Sequence, residues 1–394
     1  MNCTDKLQSD ISVHLRASAV HKPKLQEWQN ILVMRLDNIG DVIMTSPALQ
    51  AIKENLPQCH LTLMASPGGA LAAELLPWVD EVLPWRVLWQ DLGKLDFDPT
   101  REWELVKRLQ NSKFDAAIIF TSFSQSPHPA GFLCYLAGIP IRIGESKEVG
   151  NGVLTLEVPS ISDEVHQVER NLRLIEQAGF EVQNRSLCID ISEIARQEAL
   201  SLLLGIGDWG LGTGKENSQS PIANPQSPIP NYLLLNPWTS CQSRNYDSQR
   251  FAIAARQLVE VTQMPVVVTG VEKDLPKSKS LLETLGDRAV NLIGKTTLPQ
   301  LAALIANAKL VLTNNTSTMH IADATRTPTV VMFAGTELES QWQPRNGTSW
   351  LLRRPTPCSP CYAFTCPYNL ECLDIPLEEV VATGLKLIEM TSDQ

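Results

Sequence analysis

The chain has 394 residues, 43% of them hydrophobic and 19% charged. That is ample apolar material for a core, and the length suits two or three domains. Disordered, collagen-like and coiled-coil chains are excluded by this composition. Lys and Arg number 33 against 43 Asp and Glu, a formal net charge of −10. No nucleic-acid partner is expected from that balance, although it allows a local basic pocket for a phosphate. No run of about 18 apolar residues occurs, so no membrane-spanning helix is expected. Asp5, Asp10, Arg16, Lys22 and Lys24 interrupt the first residues, which hold no apolar stretch. No secretory signal is read there, and a cytoplasmic protein is expected.

In chain order, short β-branched runs alternate with helical patterns. Residues 1–29 read as a poorly ordered leader. The first strand is Ile31–Leu36, followed by a helix over Val42–Asn55, a strand at Leu61–Met64, a helix near Leu71–Leu76 and a strand at Val79–Leu83. Residues 101–111 read as a helix, and Ala116–Phe120 as a buried strand. A helix over Ala130–Ala137 leads to Pro140–Ile143, and residues 163–179 form an amphipathic helix capped by Gly179. Residues 207–230 differ: they hold four Gly, four Pro and a repeated Gln-Ser-Pro-Ile, and read as a low-complexity linker insertion.

The alternation restarts at Tyr232–Asn236. It continues through helix 247–262, strand Pro265–Thr269, helix 275–285, strand Val290–Ile293 and helix 298–307. Strand Leu310–Thr313, helix 316–325 and strand Thr329–Phe333 follow. Continuous apolar strands separated by helices predict parallel sheets covered on both faces. Two such series predict an α/β chain of two doubly wound domains, 30–206 and 231–375, with a C-terminal helix over 376–394.

Four strand-to-helix loops can carry chemistry, because ligands of open α/β sheets bind beyond the carboxyl ends of the strands. Arg35-Leu-Asp-Asn-Ile-Gly-Asp41 follows the first strand. Gly40 lets a ligand approach the backbone, and Asp41 sits at a helix start, as a cleft carboxylate or as a helix cap alone. In Asn236–Tyr246, Thr239, Ser240 and Arg244 suit a phosphate, or an ordinary solvated loop. In Thr269–Asp274, Gly270 ends a strand and Asp274, with Glu272 as fallback, is an acid for ribose hydroxyls. In Thr313–His320, Asn315, Thr316, Ser317 and Thr318 can cap a helix or hold a diphosphate. His320 alone reads as a packed helix residue. Neither G-x-G-x-x-G nor a Walker A motif is present.

Nine cysteines occur, and four of them (Cys358, Cys361, Cys366 and Cys372) cluster near the C-terminus. Four thiolates can close a tetrahedral structural zinc site, but the second pair is not C-x-x-C. Packed or redox-sensitive thiols are the preferred reading. Trp78, Trp85, Trp89 and Trp103, with Arg86 and Arg101, read as core and ordinary surface; an interfacial patch is the alternative.

Together these segments resemble glycosyltransferase family 9, whose best-known members are the ADP-heptose:lipopolysaccharide heptosyltransferases. The resemblance spans nearly all of residues 30–390. It is carried by Ile31–Leu49, Leu136–Gly144, Asn236-Pro237 with Arg244-Asn-Tyr246, and Asn315–His320. It implies a GT-B fold, two Rossmann-like domains facing a cleft, and an inverting transfer that requires no cofactor and no metal for chemistry. The implied partners are a nucleotide-diphosphate sugar, with ADP-heptose favoured, and a glycolipid or polysaccharide acceptor. A lipid-linked acceptor implies at most peripheral contact with the inner face of the membrane.

In the resemblance Asp41 takes the general-base position, Arg244 contacts the donor diphosphate, and Asp274 the ribose. Thr316, Ser317 and His320 fall on the phosphate-binding loop and helix start. The sequence departs from the family's common Asp-Thr-Gly-Pro-Met-His: Asn315 replaces the Asp and Ser317 the Gly. Two alternatives stay open, the same fold with another nucleotide-sugar donor and a catalytically impaired nucleotide-binding homologue.

Overall fold

The computed structural model describes residues 24–91, 93–148, 152–206 and 231–392. The linker read at 207–230 and residues 1–23 of the leader lie outside the described residues. Within the leader, Trp28 is buried and meets the Phe180 ring edge-on at 5.8 Å, so core packing already involves residue 28.

The first series runs β1 Asn30–Arg35, α1 Ile39–Ile43, α2 Ser46–Asn55, β2 His60–Ala65, β3 Glu81–Pro84, α3 Pro99–Ser112 and β4 Ala116–Ile119. It continues with α4 His128–Leu136, β5 Ile141–Ser146, β6 Leu156–Pro159, α5 Gln167–Gln177 and α6 Glu193–Ile206. Its strands pair in parallel in the order β3-β2-β1-β4-β5-β6. The second series runs β7 Leu233–Asn236, α7 Ser248–Thr262, β8 Val266–Val268, α8 Leu275–Leu285, β9 Ala289–Asn291 and α9 Leu298–Asn307. β10 Leu310–Asn314, α10 Ser317–Thr325, β11 Thr329–Met332, α11 Glu339–Trp342, β12 Ser349–Leu352 and α12 Leu377–Ser392 complete it. This sheet is also parallel, in the order β12-β11-β10-β7-β8-β9.

Each series is a doubly wound α/β domain. One continuous core links them, joining Ile31 and Val33 of β1 to Leu234, Val311 and Val331 of the second sheet. α6, which sequence alone groups with residues 30–206, packs on α9 and β9 of the second sheet. Local signals set many helix ends. Asp98 accepts from the Thr100 amide at 3.0 Å to start α3, and Asp247 from the Arg250 amide at 2.8 Å to start α7. Gly179, at φ +99°, follows α5 in a backbone region that other residues rarely adopt.

The helix read over 42–55 is in fact two. Pro47 lies in the first turn of α2 and cannot donate to a preceding turn, so the chain bends at Met44 and Thr45. Thr45 Oγ1 instead donates to the Asp41 carbonyl at 2.9 Å. That bend keeps α1 short and holds it at the cleft.

α5 presents a buried polar face that braces two cleft loops. Gln167 Nε2 donates to the Thr121 carbonyl at 3.0 Å and to Asn171 Oδ1 at 2.8 Å. Asn171 Nδ2 donates to the Met44 carbonyl at 3.1 Å. Removing a buried partner leaves the other group unsatisfied. Asn171→Ala is therefore expected to destabilise the fold by about 1–3 kcal/mol, read from the urea unfolding midpoint. An unchanged midpoint would count against this bracing role.

Candidate active site in the interdomain cleft

The carboxyl edge of β1 delivers Arg35, whose side chain is fully buried, although every other residue of the strand interior is apolar. A buried guanidinium needs anionic partners. Two carboxylates supply them: Arg35 Nη2 lies 3.1 Å from Asp41 Oδ1, and Nε lies 3.2 Å from Asp37 Oδ2. Nη2 also donates to Ser122 Oγ at 3.1 Å. Gln125 Nε2 donates to Asp37 Oδ1 at 2.5 Å. Burial pushes the Asp37 carboxyl above its ordinary value, with Arg35 pulling the other way.

Asp41 occupies the first turn of α1. Its Oδ2 accepts from the Asn38 amide at 3.1 Å, so it does cap the helix. It also keeps 16% side-chain exposure toward the cleft while ion-paired to Arg35. Capping therefore leaves part of the carboxylate accessible.

At Gly40 the structure shows a close contact between the two domains. A Cβ at this position would lie 2.7 Å from His320 Cδ2 and 3.5 Å from the Ser317 Cα. The missing side chain lets α1 seat directly against α10 of the other domain. His320 is buried in that contact. Burial pushes its pKa down to about 4, against the opposing pull of Asp41. The imidazole is thus neutral near pH 7.

Opposite α1, three adjacent strands of the second sheet deliver their loops. After β7, Arg244 lies in the turn Gln242–Arg244 and pairs through Nη2 with Glu337 Oε1. After β10, Asn315 is buried; it donates through Nδ2 to Glu337 Oε2 at 3.2 Å and accepts the Ala334 amide at 3.1 Å. After β11 comes Glu337 itself, whose carboxyl is pushed up by burial while Arg244 pulls it down. Asp41 raises it further, which puts the two carboxyls within electrostatic reach across the cleft. Thr316 precedes α10 with no side-chain cap bond, Ser317 is half-buried, and Thr318 is buried in the first turn.

The remaining sequence candidates divide. Thr239 Oγ1 accepts the Cys241 amide at 3.0 Å and donates to the Cys241 carbonyl at 2.6 Å, so its hydroxyl is used within the loop. Ser240 is exposed. A Cβ on Gly270 would lie 3.2 Å from the Trp238 ring. Asp274 is buried and engaged: its Oδ2 accepts the Val271 amide at 3.0 Å, and its Oδ1 pairs with Lys277 Nζ at 2.8 Å. Glu272 is exposed beside it. Of the two acids read for the ribose, Asp274 is thus engaged at its own helix start, and Glu272 is the exposed one.

The four clustered cysteines border one small cavity beside Ser243 and Thr336. All described cysteines are free thiols. Among the described residues, no group of three or more His, Cys, Asp or Glu side chains is arranged to hold a metal ion. Among the tryptophans, Trp78, Trp85 and Trp89 are half-buried, and Arg101 stacks over Trp85 at 4.5 Å. Trp103 is exposed and lines an open apolar groove of about 460 Å³ with Phe97 and Phe132. No helix among the described residues is long and apolar enough to cross a membrane.

Gly40→Ala tests the α1–α10 contact. The added methyl must displace a buried ring, and displacements of about 1 Å at a reacting site can cost roughly 100-fold in rate. Catalytic turnover should fall at least about tenfold, with circular dichroism of the folded chain unchanged. Full activity in this variant would disprove the need for so close an approach.

Comparisons with known proteins agree with this architecture. A family model described as glycosyltransferase family 9 (heptosyltransferase) matches residues 102–371. Lipopolysaccharide heptosyltransferase 2 of Escherichia coli is 25% identical over 313 residues, covering 77% of this chain and 82% of that protein. Lipopolysaccharide heptosyltransferase 1 of Pseudomonas aeruginosa is 24% identical over 351 residues, covering 86% and 88%. The solved structure of E. coli ADP-heptose lps heptosyltransferase II superposes with a TM-score of 0.68 at 20% identity, covering 92% of this chain and all of that one. With two parallel α/β domains closing on one cleft and a family match across most of its length, the chain belongs to glycosyltransferase family 9 and is a glycosyltransferase of the GT-B fold.

Proposed function

We propose that the protein is an inverting heptosyltransferase, moving heptose from ADP-heptose onto a lipopolysaccharide-core or other cell-surface glycan acceptor. Asp41 is its general base, and no metal ion is needed for the chemistry. The observation that carries this reading is the arrangement of two opposed walls: a carboxylate on α1 faces Arg244 and the start of α10. ADP-heptose and lipopolysaccharide are named for the relatives, and that supports this donor and acceptor here.

An acceptor hydroxyl is a weak nucleophile until its proton is removed. Asp41 takes that proton as the oxygen attacks the anomeric carbon from the side away from the diphosphate. The bond from that carbon to the diphosphate oxygen breaks, and the configuration inverts. The leaving nucleoside diphosphate gains negative charge. Arg244 stabilises it, together with the free amides and positive dipole end of α10. Arg35 fixes the carboxylate: one oxygen is held by its guanidinium and the other by the Asn38 amide. Glu272, exposed where Asp274 is not, is the acid assigned to the ribose hydroxyls. The apolar groove beside Trp103 supports peripheral contact with a lipid-linked acceptor.

Asn315 and Ser317 favour keeping a second reading, the same transfer from another nucleotide sugar. Calorimetric titration with ADP, UDP and GDP in EDTA separates the two. Selective ADP binding supports the heptose donor, and a preference for UDP or GDP replaces it. Asp41→Asn retains an acceptor for the Asn38 amide but not a base. It should lower transfer by roughly 10²–10⁴ and leave ADP affinity within about twofold. Equal losses of binding and turnover would reassign Asp41 to capping alone. Losing a charge-assisted bond costs about 1.5–3 kcal/mol, so Arg244→Ala should weaken ADP at least about tenfold. Unchanged ADP affinity there would remove Arg244 from the donor site.

A further inference from the structure

Glu337 has no part in the reaction as written, yet it occupies the group on which donor binding depends. Arg244 Nη2 is paired with Glu337 Oε1, and Asn315 Nδ2 holds Oε2 at 3.2 Å. The three residues stand on the loops after β7, β10 and β11, which are adjacent in the sheet. Both carboxylate oxygens are used, and the side chain is only 15% exposed. The Arg244 Nε is buried and has no hydrogen-bond partner among the described residues. The guanidinium therefore has capacity for a further acceptor, while its Nη2 is held by an internal one.

We infer that Glu337 is an exchangeable counter-ion for Arg244: it holds the guanidinium in the donor-free site, yields it to the incoming diphosphate, and reclaims it after transfer. This rests on the reading of Arg244 as the diphosphate contact. A diphosphate reaching Nη2 meets Glu337 at close range, with Asp41 already adding negative charge from the opposite wall. Like charges at such separations disfavour one another by about tenfold or more. Competition of this kind weakens retention of the nucleoside diphosphate product, which carries more charge than the same diphosphate esterified to a sugar. Asn315 has a defined part: its neutral amide donates to Glu337, where an Asp would repel it. The carboxylate absent at position 315 thus stands at position 337, in contact with the arginine.

Calorimetry with ADP and steady-state transfer kinetics test this. In Glu337→Gln the charge is lost while the side-chain length and one of the two acceptor oxygens are kept. ADP should bind about tenfold more tightly, and kcat should fall where product release limits turnover, with donor kcat/KM unchanged or raised. In an Arg244→Ala background, Glu337→Gln should change ADP affinity by less than about twofold. A purely structural side chain would not give tighter binding when altered. Glu337→Asp, too short to span Arg244 and Asn315 together, is the second variant should Gln not fold, and should shift ADP affinity the same way. Weaker or unchanged ADP binding in a folded Glu337 variant overturns the exchange, as does tightening that persists without Arg244. If Arg244→Ala alone leaves ADP affinity unchanged, the donor-site reading fails and the exchange with it. If Arg244→Ala weakens ADP but Glu337→Gln does not tighten it, only the exchange fails.

Discussion

The cleft depends on one steric constraint: there is no room for a side chain at residue 40. Two domains that each bury a parallel sheet could meet at many separations. Here the α-carbon of Gly40 meets the ring edge of His320 and the backbone at Ser317, which brings α1 onto the first turn of α10. Asp41, one residue on, enters the field of Arg244 and Glu337, although it belongs to the other sheet. The same contact buries His320, and burial strengthens electrostatic interactions nearby.

The second constraint is charge balance. A buried guanidinium without an anion is costly, and so is a buried carboxylate without a cation. The first domain meets this with one arginine and two carboxylates, all within residues 35–41. The second meets it with Arg244 and Glu337, brought together from loops 93 residues apart. The two pairs differ in accessibility. The Arg35 side chain is fully buried, whereas that of Arg244 is 29% exposed. The first pair is sealed from solvent on its cationic side, whereas the second leaves its cation accessible.

Most of the architecture was legible because buried parallel strands are continuous apolar runs, and nearly every one was read from its residues. What was missed has physical causes. The edge strands β6 and β12 are only half-buried, so their sequences lack the apolar signature. The break between α1 and α2 was signalled by Pro47 and overridden by the surrounding apolar pattern. Asp41 and Arg244 were legible as polar residues in loops that follow strands. Arg35 carried its own signal, a charge inside an apolar strand, which becomes meaningful only once its burial is known. Glu337 carried none: it lies past the last strand read, in a loop of no distinctive pattern. That the helix start engages Asp274 and leaves Glu272 exposed is likewise not encoded in sequence spacing.

His320 joins the steric and electrostatic constraints. On its own it was read as a packed helix residue, and in the resemblance as part of the donor-binding helix start; it is packed, and its packing partner is the glycine beside Asp41. Burial holds the imidazole neutral by depressing its pKa to about 4, more strongly than the nearby Asp41 raises it. A protonated ring there would place a cation against Arg244 and would compete with Arg35 for Asp41. A neutral ring leaves Arg35 as the partner of Asp41 and leaves Arg244, with the amides of α10, as the positive wall. One tight, uncharged contact thus keeps the two charge systems apart while holding them close enough to act on one sugar.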